Sequence, residues 1–167
     1  DSEANQSIME KVARKCYRPT TTLLLDQIRK NDGRFKVSFS ITGTAIEQMQ
    51  AWAPDVIDLL QQCAATGCAD FLAETSHHSL SSLYAPSEFK MQVEKHVSLM
   101  QELFDIEPIV FRNTELIYSD RIAKSVVDMN RFRGMTCEGV DRILGDRSPA
   151  WVYAPDGSGE HLPSAKI

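Results

Sequence analysis

The chain has 167 residues, 43% of them hydrophobic and 25% charged, which suits one globular domain with room for a real core. Its net charge of −5 and its lack of any Lys/Arg run exclude a phosphate-tracking surface, so nucleic acid is not an expected partner. No apolar stretch approaches the roughly 18 residues needed to cross a bilayer, and Asp1 to Gln6 are polar, without the apolar centre of a signal peptide.

Ile8, Val12 and Cys16 recur at helical spacing, and a second helix is predicted from Thr21 to about Lys30, where Asn31-Asp32-Gly33 makes a stop and turn. Phe35 to Ile41 alternates apolar and polar residues with a period of two, as a strand does. Thr44 with Glu47 predicts a capping box opening a helix. Its buried face is marked by Ile46, Met49, Trp52, Val56, Leu59 and Leu60, and Pro54 splits it in two. Gly67 ends the second piece, and Ala69 to Ala73 reads as another strand, closing on Glu74.

After the Ser/His-rich stretch Thr75 to Ser82, Pro86-Ser87 starts a helix with Phe89, Val93, Val97, Met100 and Phe104 spaced by three and four. His96, flanked by Glu94 and Lys95, is expected to face solvent. Pro108 to Leu116 is predicted as the third strand, followed by a helix burying Ile122, Val126 and Met129. Arg133 to Cys137 is a fourth short strand, followed by Glu138. Alternation at the scale of βαβ units argues for an α/β fold, a parallel sheet with helices outside. Residues 1–153 then form the folded unit, and 154–167, with Pro, Gly and Ser and no periodicity, a loop or linker. The missing initiator Met and the end at Lys166-Ile167 suggest a piece of a larger protein.

Cys16, Cys63, Cys68 and Cys137 are too scattered for a disulfide framework. Cys63 and Cys68 are separated by four residues, outside the two-residue zinc knuckle, and no second pair follows. Buried free thiols in a reducing, cytoplasmic compartment are the expectation.

In parallel β/α folds the site forms beyond the carboxyl ends of the strands. Ser40 and Thr42, Glu74, Glu115 and Glu138 all fall there. A strand-end glutamate also serves to cap the next helix or to pair with a surface lysine; that ordinary role is preferred for Glu138, and the two readings are balanced for Glu74. Glu115 is the only acid of its strand and is crowded by Arg112 and Asn113, which favours chemistry. A carboxylate there can serve as acid or base, as nucleophile or as metal ligand. Arg112 would keep a nucleophile ionised if it lay on the same side, but strand alternation puts it opposite Glu115. Of the adjacent His77 and His78, an extended segment would turn only one toward a given site, and no helical i, i+4 metal pair or Asp-rich partner segment accompanies them.

Five segments together carry a resemblance: Lys15 to Pro19, Phe35 to Thr44, Leu72 to Leu80 (Leu-Ala-Glu-Thr-Ser-His-His-Ser-Leu), Phe111 to Tyr118 (Phe-Arg-Asn-Thr-Glu-Leu-Ile-Tyr) and Glu138 to Gly145. Over roughly residues 5–153 the chain resembles glycoside hydrolase family 57, in its α-amylase-like branch. The resemblance implies part of an irregular (β/α)7 barrel and a retaining enzyme acting on α-1,4-glucans such as starch, maltodextrin or glycogen, with no metal or other cofactor. Glu115 matches the family's nucleophile. Glu74 and His78 match the motif lining the neighbouring sugar subsite, with Arg112, Asn113 and Glu138 as further substrate contacts; Trp151 and Tyr153, just past the last matched segment, are aromatic platforms for sugar rings or, equally, packing residues. The family's opening His-Gln-Pro motif and its acid/base aspartate have no counterpart here, so the rest of the same catalytic domain is an implied partner and these residues alone are expected to be inactive. His77 stands where the branch usually has Tyr. Two alternatives stay open: a noncatalytic glucan-binding homologue, and a metal-dependent polysaccharide deacetylase of a related barrel type.

Overall fold

The computed structural model describes residues 2–153; the predicted linker at 154–167 lies outside the described residues. Helix α1 (Ser2–Val12) passes through a π-helical turn at Ala13–Tyr17 into α2 (Arg18–Lys30). Strand β1 (Val37–Phe39) leads to α3 (Gly43–Trp52) and α4 (Pro54–Ala65), and β2 (Ala69–Phe71) to the short α5 (Ser81–Tyr84) and the long α6 (Pro86–Phe104). Strand β3 (Val110–Arg112), α7 (Asp120–Val127), β4 (Gly134–Thr136) and α8 (Asp141–Leu144) complete the order. Each strand returns to the sheet through helix, and every pairing is parallel, as βαβ connections require. The protein is thus an α/β fold.

The strands lie side by side in chain order but do not form one even ladder. β1 pairs with β2 (Phe39 opposite Phe71) and β3 with β4 (Phe111 opposite Met135). The two ladders meet only at a bridge between Ala73 and Phe111 among the described residues. There the Ala73 N–H donates to Val110 O at 2.9 Å, and the Arg112 N–H donates to Ala73 O at 2.7 Å.

Apolar residues on both sides of this sheet form the core. Met9, Ile46, Met49, Val56, Leu60 and Met100 surround Phe71, whose ring stacks on Phe104 at 4.4 Å. Phe111 sits in a second cluster with Ala73, Phe89, Val93, Val97, Ile122 and Val126. Leu25, Ile28, Cys63 and Ala69 form a third, under α2. Burying one such side chain contributes about 1.5–3 kcal/mol.

Several local expectations shift. Along α1 and the π-helical turn the buried residues are Met9 and Ala13 rather than Ile8 and Cys16, which are exposed, because Met9 and Ala13 pack with Ile46 and Met49 of α3. Pro54 does open α4. α3, however, starts two residues before the predicted capping box: Thr42 is the N-cap, its hydroxyl accepting from the Ala45 N–H at 3.2 Å. Of the four thiols only Cys63 is fully buried, and Cys16 and Cys137 are exposed. The predicted third strand is cut short, since after Arg112 the chain turns into a single 3-10 turn, Thr114–Leu116. His96 is also wholly buried, contrary to the solvent-facing expectation. It lies seven residues after Phe89 and four before Met100, so it falls on the apolar stripe of α6 despite its charged neighbours.

Candidate active site

At the carboxyl ends of β1, β2 and β3 the polar residues converge. Glu74 follows the Ala73 bridge and is 2% exposed. Its Oε1 accepts a 2.8 Å hydrogen bond from the Ser40 hydroxyl, just beyond β1. The next residues do not run on as an extended segment. The His78 N–H donates to Thr75 O at 3.1 Å, the Ser79 N–H donates to Thr75 Oγ1 at 2.9 Å, and His78 adopts φ 51°. This turn, and not strand alternation, separates the two histidines. His78 swings toward the acids, while the His77 N–H is taken by Gln92 Oε1 on α6 at 3.4 Å. Ser76 also donates to Gln92 O, and its own carbonyl accepts from the Thr44 N–H at 3.1 Å. That last contact needs Gly43, where a Cβ would sit 3.0 Å from Ser76 O.

Glu115 comes from the neighbouring ladder. It lies on the 3-10 turn with φ 55°, and Leu116 repeats that φ, so two consecutive non-glycine residues occupy the left-handed region. Such strain, of order 1–3 kcal/mol per residue, persists only where neighbours fix it. Asn113 is the chief fixture: fully buried, its Nδ2 donates to Ile117 O at 2.9 Å and to Ser82 Oγ at 3.1 Å. Thr114 adds a buried hydroxyl contact of 3.1 Å to Thr75, tying the turn to the histidine loop. The result is a carboxylate held outward, its side chain 71% exposed, with His78 Nε2 at 3.0 Å from Oε1. His78 Nδ1 faces Glu74 Oε2 at 3.7 Å, an ion-pair distance too long for a hydrogen bond. One imidazole therefore stands between a buried and an exposed carboxylate.

The other expected site residues take lesser places. Arg112 is half-buried at the end of β3, and because Glu115 has left the strand, alternation no longer decides their relation. Glu138 is exposed and touches the Glu115 turn through its backbone, its N–H donating to Leu116 O at 3.4 Å. Trp151 is exposed at the end of a local turn, its N–H on Ser148 O. Two further residues belong beside it. Ser40 was visible as a strand-end hydroxyl; His96 was legible only from its position on the buried stripe. His96 Nε2 lies 2.8 Å from Ile41 O. Because a carbonyl only accepts, Nε2 carries the proton and Nδ1 is left as a lone pair, without a hydrogen-bond partner among the described residues.

Burial pushes the His96 pKa below its ordinary value, opposed in part by the Ile41 hydrogen bond and the charge of Glu74. The unfolded chain then binds the extra proton first as pH falls, so stability is full above about pH 6.5 and declines with acid until the depressed folded pKa is passed. Urea midpoints measured between pH 7 and pH 5 should fall more steeply for the native chain than for His96→Gln; parallel curves would remove His96 as the source.

The family model for glycosyl hydrolase family 57 matches residues 1–164. The chain belongs to that family. A Methanocaldococcus jannaschii protein described as "Putative alpha-amylase" is 44% identical over 159 residues, covering 94% of this chain and 33% of the relative. This family 57 chain thus spans about a third of the length of that curated relative. Among solved structures, a 4-alpha-glucanotransferase from Thermococcus litoralis superposes with a TM-score of 0.77 at 17% identity, over 92% of this chain and 24% of that one. A CE4 family pseudoenzyme from Bacillus anthracis shares the fold more loosely, with a TM-score of 0.53 at 13% identity, over 70% of this chain and 37% of that one. No described helix is long and apolar enough to cross a membrane.

Proposed function

We propose that this chain supplies the nucleophile half of a retaining glycoside hydrolase acting on α-1,4-glucans, with Glu115 as the nucleophile. The observation that carries the reading is the geometry of Glu115. It is an outward carboxylate on a strained, buried-anchored turn, with one oxygen engaged by His78 and the other open to a substrate. In the proposed reaction the open oxygen attacks the anomeric carbon, the bond to the leaving oxygen breaks, and that oxygen takes a proton from a second carboxylic acid. The glycosyl ester on Glu115 is then released by water, or by the hydroxyl of an acceptor sugar, which returns its proton to the same acid. Hydrolysis and glucan transfer share every step but the last, in keeping with the amylase and glucanotransferase descriptions of the two relatives.

Glu74, braced by Ser40, and His78 are assigned to the sugar subsite beside the nucleophile. Asn113 serves by holding the turn, Arg112 and Glu138 by flanking it, and Trp151 as an aromatic platform. We assign the acid/base and the completion of the (β/α)7 barrel to residues outside this chain, a reading supported by its span of a third of the relative. The free thiols favour a reducing, cytoplasmic setting. No group of three His, Cys, Asp or Glu side chains among the described residues is arranged to hold a metal ion. The test is made on the full-length gene product with maltoheptaose. NMR of the first product should show the α anomer, and a fluorinated glycosyl fluoride should leave a sugar ester on the peptide containing Glu115. A β anomer, or a label on another residue, would overturn the assignment.

A further inference from the structure

Near the polar cluster lies a buried histidine with no hydrogen bond to either carboxylate. His96, wholly buried on α6, reaches across to the end of β1 and donates from Nε2 to the Ile41 carbonyl at 2.8 Å. Ile41 stands between the two β1-end residues that do visible work: Ser40, whose hydroxyl holds Glu74 at 2.8 Å, and Thr42, which caps α3. β1 itself is only three residues long, so few ladder bonds fix its end. Glu74 in turn faces His78, and His78 holds Glu115.

We infer that His96 is a positioning residue for this cluster: by clamping the Ile41 carbonyl it sets the end of β1, hence Ser40, hence the buried carboxylate of Glu74 against His78. This rests on the reading of Glu115 as nucleophile only where catalysis is measured; the clamp itself concerns the chain alone. Any apolar residue of similar size could fill the space on the α6 stripe. What the site uses is one N–H at a fixed reach, because removing it leaves a carbonyl at the strand end without its donor.

Glutamine and leucine separate the two roles. The amide nitrogen of glutamine lies the same number of bonds from Cβ as imidazole Nε2, so His96→Gln keeps the donor, while His96→Leu keeps only volume. On the 167-residue chain, long-range proton–nitrogen NMR of the His78 ring reads which nitrogen carries the proton. His96→Leu should change that pattern and His96→Gln should restore it. On the full-length product with maltoheptaose, His96→Leu should lower kcat about tenfold with KM little changed, less than the roughly 10²-fold that a 1 Å misplacement costs, and His96→Gln should recover most of the loss. If His96→Leu does not fold, His96→Asn, whose amide falls one bond short of Ile41, takes its place. Equal behaviour of the two variants, or a lowered unfolding midpoint with an unchanged His78 pattern, would reduce His96 to packing. A full-length protein that does not cleave glucan would overturn the nucleophile reading and leave the NMR comparison to decide His96.

Discussion

Glu115→Gln in the full-length gene product should lower glucan cleavage by on the order of 10⁴-fold or more, the scale seen when a nucleophile is removed from other hydrolases. The loss should fall on kcat, because no ester can form on an amide and the ground-state contacts survive. Glutamine has the shape of glutamate, and its carbonyl oxygen can still accept from His78 Nε2 at the 3.0 Å position. Maltoheptaose affinity measured by calorimetry should therefore stay within about threefold, less than ~1 kcal/mol. An unchanged cleavage rate would remove the nucleophile assignment, and a matching loss of binding would point to a collapsed turn. A companion Glu115→Ala variant supplied with azide should yield a β-glycosyl azide, since a small anion can enter the vacated space and attack the same face.

The second large effect lies beneath the site. Phe111→Ala should cost about 3–5 kcal/mol of folding stability, read as a fall in the urea midpoint with little change in slope. Phe111 is wholly buried, edge-on to Phe89 at 5.6 Å and tilted against Phe132 at 5.6 Å, so truncation empties the centre of the second cluster. It also carries the bridge to Ala73 and stands two residues before Asn113, whose buried amide holds the Glu115 turn. Phe111→Leu, which leaves a smaller void, should lose distinctly less. A loss below about 1 kcal/mol for alanine would mean that the cluster closes over the gap.

The long periodic segments were the legible ones. The five apolar positions predicted for α6 are all buried, and Pro54 and Pro86 open the helices they were expected to open, because helical spacing and proline geometry act locally. Strand lengths were overestimated: Pro108 to Leu116 reads as one apolar run, yet Glu115 and Leu116 take left-handed angles that only their tertiary anchors, Asn113 and Thr114, can hold. No residue pattern signals that. His96 misled for the opposite reason, since Glu94 and Lys95 beside it point to solvent while its own position, seven after Phe89, points inward. At the site, Glu74, His78 and Glu115 were each singled out in the sequence, but their meeting through one imidazole depends on the Thr75–His78 turn, where an extended segment was expected.

The bridge at Ala73 is the only backbone seam between the two ladders among the described residues, and the two carboxylates lie on opposite sides of it. Glu74 travels with β1 and β2, Glu115 with β3 and β4. Their spacing is consequently a property of the joint rather than of either half, fixed by two backbone hydrogen bonds, by the Thr75–Thr114 hydroxyl contact and by His78 as a cross-brace. Substitutions that tilt one ladder against the other would change the separation of the two carboxylates without touching either side chain. The narrow seam between the ladders thereby sets the geometry of the acid cluster at their carboxyl ends.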